Sequence, residues 1–205
     1  MRIDLIRIIA TVWLAAGTGC ATYAGSATAL KPAEVKPEAG WLAVDGVPLY
    51  RQTDEHDCGP TALSMVLRFW QPSAERVDKG EGALPLDRQV SVGELRDLAK
   101  SRGFSAFVVA GTPEDLVFEL QHGRPMIVGV AKQTLNGAIT HYEVLVGMHR
   151  DTKRVATLDP AVGWQQNSFS GFLSEWQATG RVLLVLVPKQ AAANGGGQAQ
   201  PGASP

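Results

Sequence analysis

The stretch "RQTDEHDCGPTALSMVLRFW", residues 51–70, sets a cysteine where a polar loop gives way to a helical apolar pattern. The other of the two cysteines, Cys20, ends an apolar leader of the export type, so a structural disulfide is not the expected fate of Cys58. A free thiol in an oxidising compartment needs another role. The bland one is that of a small buried hydrophobe. Placement favours chemistry, because Cys58 precedes Gly59 and Pro60 at a helix start. Unpaired backbone N–H groups and the positive end of the helix dipole there stabilise a thiolate and can hold an oxyanion.

A nucleophilic thiol needs a base, and the chain has four histidines. His56 is two residues from Cys58 in a tight loop, where neighbours seldom face each other. His122 stands beside Gly123 as a helix-end capping group, and His149 at a strand end beside "RDTK" reads as solvated. His141 opens "HYEVLVG", a β-rich run that can hold an imidazole rigidly, although a lone histidine there is otherwise an ordinary sheet residue. The base needs an orienting partner. Asp159 ends the next run, "RVATLDPA", and counts about as far from residue 150 as His141 does, so an antiparallel pair would return it to that level. Its "DP" is equally a turn signal, and both readings can hold together. Gln52, before the cysteine, could donate a second hydrogen bond to an oxyanion; alone it is a surface glutamine.

The elements that must position these groups are legible. Ala62, Leu63, Met65, Val66, Phe69 and Trp70 make one apolar stripe on a helix after Cys58, with Pro60 in its first turn. Residues 71–90 read as a long loop. "SVGELRDLAKSRG" offers Ser91 as N-cap, Glu94 three residues on and Gly103 at the end; "TPEDLVFELQHG" repeats this with Thr112, Pro113 and Gly123. "FSAFVVAG" is a short strand between them. From Pro125 the texture is β: "PMIVGVAK", "THYEVLVGMHR", "RVATLDPA" and "RVLLVLVP", with a short helix "SGFLSEWQ" before the last. Helices first and strands later predict α+β, an N-terminal helical half packed on a C-terminal antiparallel sheet, with Cys58 at the seam.

The ends have other jobs. Residues 1–19 give a short basic region and an apolar run too brief for a membrane span, hence a signal peptide. "GTGC" leads into Cys20 in the manner of a lipoprotein processing site, with Cys20 lipidated, although Gly17 stands where leucine is usual. The rival is ordinary cleavage after "ATA", residues 27–29. Residues 20–40, rich in Ala, Pro, Lys and Glu, read as a tether; 41–189 as the domain; 190–205 as a disordered tail. The expected place is outside the cytosol: the periplasmic face of an outer membrane if lipidated, since Ala21 is not the aspartate of inner-membrane retention, otherwise periplasm or medium. The chain holds 19 Lys and Arg against 20 Asp and Glu with no basic cluster, so nucleic acid is not an expected partner. No HExxH, CxxC or GxxxxGK[ST] pattern occurs, so no metal, cofactor or nucleotide is implied; "DEHD" before Cys58 reads as a solvated loop rather than a cation site.

Gln52, "DCGP", "HY" opening a β run, and "LDPAVGW" followed by "FSGFLSEW" together resemble the bacteriocin-processing cysteine peptidases, which remove double-glycine leaders and have a papain-like fold. The resemblance spans about residues 49–187. It implies Cys58 as nucleophile, His141 as general base and then acid, Asp159 as its orienter and Gln52 as oxyanion donor, in a thiol peptidase acting through a thioester on exported or envelope polypeptides. Many relatives are the cytosolic front end of an ATP-driven exporter; this chain shows an export leader and neither a transmembrane bundle nor a nucleotide loop, which marks it as a stand-alone exported member. Glu143 departs from the apolar residue usual there, and either borders the cleft or bonds within it. Two other readings stay open: a catalytically silent peptide- or partner-binding lipoprotein, and a transpeptidase or amidase acting on envelope material.

Overall fold

A computed structural model of the chain describes residues 25–78 and 88–189. Four helices, α1 (Cys58–Trp70), α2 (Val92–Ser101), α3 (Pro113–Gln121) and α4 (Phe169–Gln177), accompany eight strands among these residues. The strands are β1 (Thr28–Ala29), β2 (Trp41–Ala43), β3 (Phe104–Ala110), β4 (Met126–Thr134), β5 (Gly137–His149), β6 (Arg154–Asp159), β7 (Gly163–Ser168) and β8 (Val182–Pro188). They form one antiparallel sheet in the order β1-β7-β6-β5-β4-β8-β3, with β2 on the far part of β5. The α+β expectation holds.

Local sequence explains the helices. Ser91 with Glu94, and Thr112 with Asp115, form reciprocal capping boxes that satisfy the first orphan N–H groups of α2 and α3. α1 buries Ala62, Leu63, Met65, Val66 and Leu67, and so stands over β5 as the floor beneath Cys58. Gly59 is required there: a Cβ on it would stand 3.1 Å from both Tyr142 Cδ2 and Leu95 Cδ1. Absence of that carbon lets the head of α1 reach β5. After α1 the chain is clipped back by a polar knot. Asp78, 3% exposed, accepts from Ser64 Oγ at 2.7 Å and Arg76 Nε at 2.9 Å, while Arg76 covers the Tyr50 ring at 4.1 Å.

Three strands were not foreseen. β7, "GWQQNS", contains no β-branched residue and is made a strand by its neighbour: the tight turn after Asp159 feeds it back along β6 with Asp159 opposite Gly163. β2 opens the segment expected to be the domain, whereas β1 belongs to the segment expected to be a tether, and that expectation is corrected from residue 25 onward. Thr28 and Ala29 pair with Gln166 and Gln165, Leu30 and Val35 are buried, and Ser26 bonds to Asn167 and Glu175. Alternating small and apolar residues dock on an open sheet edge even where no helical or strand period is strong enough to announce it. Cys20, the leader, the tail from residue 190 and loop residues 79–87 lie outside the described residues.

Candidate active site

The β5–β6 hairpin places His141 and Asp159. Next to its turn, His149 pairs with Arg154 and Gly147 with Ala156, a register that would set Asp159 opposite Val144, on the face away from His141. A bulge between Leu145 and Gly147 shifts the pairing by one residue, so that Val144 meets Leu158. Continued one step, Asp159 stands opposite Glu143 and shares the face of His141. Simple counting from residue 150 had set the two directly opposite. They are diagonal neighbours instead, and it is the bulge that aims Asp159.

The result is a buried contact: His141 Nε2 lies 2.8 Å from Asp159 Oδ1, with both side chains at most 3% exposed. The carboxylate accepts, so Nε2 carries the proton and Nδ1 is the nitrogen left for the thiol. Asp159 Oδ1 also accepts from the backbone N–H of Ala161 at 2.7 Å and of Val162 at 3.3 Å. Turn signal and orienting carboxylate are thus the same oxygen. Cys58, in no disulfide and 2% exposed, stands at the first position of α1 and lines the same cleft as His141, near enough for its charge to act on that ring. Burial alone would lower the His141 pKa, but bonds to Asp159 and Cys58 and their negative charge raise it to about 10. The imidazole is therefore built to hold a proton beside sulfur. On the opposite face of β5, burial and then the Cys58 charge push the Tyr142 phenol up to about 12.

The loop before Cys58 is held by Asp57, which the sequence did not single out. It is fully buried, contrary to the solvated reading of "DEHD", and its Oδ2 accepts from Thr53 N at 3.0 Å and Thr53 Oγ1 at 3.1 Å. A carboxylate at an N-cap ordinarily takes a first-turn N–H; Asp57 makes no such side-chain bond. Gln52 N donates to Pro160 O at 2.9 Å and Arg51 bonds to Ala161 O, so the nucleophile loop and the Asp159 turn are tied together. The Gln52 amide itself donates to Asp54 O at 3.0 Å, and its Oε1 is buried without a partner.

A cleft of about 390 Å³ opens beside Cys58 and His141, lined also by Glu55, His56, Gln89, Leu135 of the β4–β5 turn and Ile139 of β5. Gln89, another residue not foreseen, bonds from α2's approach to Thr140 O and braces the peptide just before His141. Of the other histidines, His122 Nδ1 lies 2.7 Å from Phe118 O, the capping role expected. His149 is not solvated: Asp151 N and Thr152 N donate to its Nδ1 at 3.3 Å, and its ring meets Trp41 edge-on. Glu143 bonds inward, its Oε1 2.9 Å from Lys132 Nζ. His141, Glu143 and Asp159 carry ligand-type atoms within 4.8 Å of one another, yet each set is already engaged, His141 with Asp159 and Glu143 with Lys132. A cation there would have to displace an ammonium, which makes the trio a poor metal site.

Comparison with known proteins bears on the family and the fold. The chain is 32% identical over 152 residues to a lactococcin transport/processing ATP-binding protein of Lactococcus lactis subsp. lactis strain IL1403, covering 67% of this chain and 18% of that one. It is 29% identical over 140 residues to the mesentericin-Y105 transport/processing ATP-binding protein of Leuconostoc mesenteroides, covering 61% and 17%. The match thus spans less than a fifth of those relatives. The peptidase domain of Streptococcus ComA, a bifunctional ABC transporter involved in quorum sensing, superposes with a TM-score of 0.56 at 22% identity over 70% of this chain and 99% of that one. A double-glycine-motif protease from an AMS/PCAT transporter, solved with its leader peptide, gives 0.51 at 22% identity over 71% and 94%. These likenesses establish the papain-like α+β fold. Residues 44–184 match the model of the Peptidase_C39 like family, and the chain belongs to that family.

Proposed function

We propose that the protein is a cysteine endopeptidase of exported or envelope-associated polypeptides. The observation that carries this is the buried His141, bonded to Asp159 through Nε2 and sharing the lining of an open cleft with Cys58. In the reaction, the Cys58 sulfur attacks the scissile carbonyl carbon, and the imidazolium of His141 gives its proton to the leaving amine as the C–N bond breaks. A thioester remains on Cys58. Water, deprotonated by the same imidazole, adds to it and expels the thiol, restoring the starting state. Asp159 keeps the ring in place and supports its charge. N–H groups at the head of α1 stabilise the oxyanion, and Gln52 joins them once substrate turns its amide from Asp54 O toward the cleft.

Cleavage after small residues such as Gly-Gly is the preference proposed, because the relatives' names refer to transport, processing and a double-glycine motif. Lipid attachment at Cys20 is the proposed anchor. Cleavage after Ala29 would remove Ser26 and β1, which are bonded into the fold, whereas processing before Cys20 keeps both. No helix among the described residues is long and apolar enough to cross a membrane. The test is to incubate the full chain with peptides bearing Gly-Gly sites and read products and the Cys58 acyl adduct by mass spectrometry. Products with the native chain and none with Cys58→Ala are expected. Binding without cleavage by both would point to a silent binder, and products joined to an added amine to a transpeptidase.

A further inference from the structure

Behind the His141–Asp159 pair lies a second buried set of charges that the reaction described above does not use. Lys132 of β4, 2% exposed, sits 2.9 Å from Glu143 Oε1 on β5 and 3.0 Å from Glu175 Oε2 on α4. Glu175 in turn accepts from Ser26 N at 2.6 Å and Ser26 Oγ at 2.7 Å. Apolar residues would pack these positions at less cost, since each buried ion forfeits its hydration. The placement of Glu143 suggests what the charges achieve: it is two residues from His141 on one strand face, and its carboxylate lies within 4.8 Å of the His141 ring nitrogen and the Asp159 oxygen. One imidazole thus faces two carboxylates.

We propose that Glu143 and Lys132 form a compensating pair of positioning residues for His141, Glu143 setting a second negative charge beside the imidazole and Lys132 cancelling it, so that neither charge acts on the ring alone. Charged groups reach His141 from every side that packs on it. Cys58 comes from α1, Asp159 from β6 and Glu143 from β5, with Lys132 on β4 behind Glu143 and Glu175 on α4 behind Lys132; Glu55 and His56 line the cleft. Burial opposes the charge on Lys132, but Glu143 and then Glu175 outweigh it and hold the ammonium protonated. At separations of this order one unscreened charge moves a neighbouring titration by about one to two pH units. Without Glu143, His141 would lose that anion and feel the Lys132 cation as well. Both changes act in one direction, toward earlier loss of its proton.

The inference rests on His141 being the base of the proposed peptidase, but its test needs no substrate. The full chain, carrying isotopically labelled histidine, is titrated by NMR while Cys58 alkylation by iodoacetamide is followed at the Cys58 peptide. In Glu143→Gln, or in Glu143→Leu if the amide variant does not fold, the His141 midpoint falls by about one pH unit or more. Adding Lys132→Met to either brings it back to within about half a unit of the native value. An unmoved midpoint in the Glu143 variants overturns the proposal, and so does a double variant as low as the single one. An inert Cys58 in the native chain would instead strike the peptidase reading and leave the titration readable.

Discussion

His141 and His149 lie on the same strand, and they have opposite fates. His141 is buried, with a carboxylate on Nε2 and Cys58 beside it in the same cleft. His149 is half-buried, takes two backbone N–H groups of the following turn on Nδ1 and leans on Trp41. Residue type and element are the same; the partners differ. What sets His141 apart from His149 is the arrival of α1 on one side and of a bulge-shifted β6 on the other. The histidine beside the turn meets only its own backbone, and becomes a staple.

Substitutions sharpen that contrast. His141→Ala should cause the largest loss, lowering peptide cleavage by at least about a thousandfold while leaving the fold, read by circular dichroism, in place. Asp159→Asn comes next, at about a hundredfold or more, because the amide cannot support the imidazolium. It should also loosen the turn, since Oδ1 receives Ala161 N and Val162 N. The pH dependence follows from the raised His141 value. Its unfolded pKa is about 6.5, so the stability it contributes is complete below that pH and is lost as pH rises through about 10. Melting temperature should therefore fall across that window in the native chain and fall less in His141→Gln. His149→Ala should do least to chemistry: unchanged Cys58 reactivity, with a stability cost of about 1–2 kcal/mol from the lost turn bonds and Trp41 contact. Equal losses of cleavage in the two alanine variants would break the comparison.

Much of this was legible in the sequence where local rules dominate. The capping boxes at Ser91 and Thr112 lie within one helical turn, and α1 follows from its apolar period. Cys58 and His141 stood out because the chain has only two cysteines and four histidines, and Asp159 because it closes the strand that follows His141. The geometry that joins them was not legible. A one-residue bulge near Val146 leaves no compositional trace, yet it decides which face Asp159 occupies. Asp57 looked like one of several loop acids, and only the fold buries it against Thr53. Lys132 and Glu175 stand far apart in sequence and meet only because α4 crosses β4. The docking of residues 25–40 likewise depends on an edge, β7, whose own sequence is not strand-like.

The central claim is that Cys58 and His141 act as one unit, and its most direct measurement is the alkylation rate of Cys58 at about pH 6, where an ordinary thiol is nearly all protonated. The full chain, or one beginning at Gly25 so that the docked N-terminal segment is kept, is compared with its His141→Ala variant. The account predicts fast labelling that collapses in the variant, with His149→Ala as fast as the native chain. Slow labelling in both the native chain and His141→Ala would contradict it.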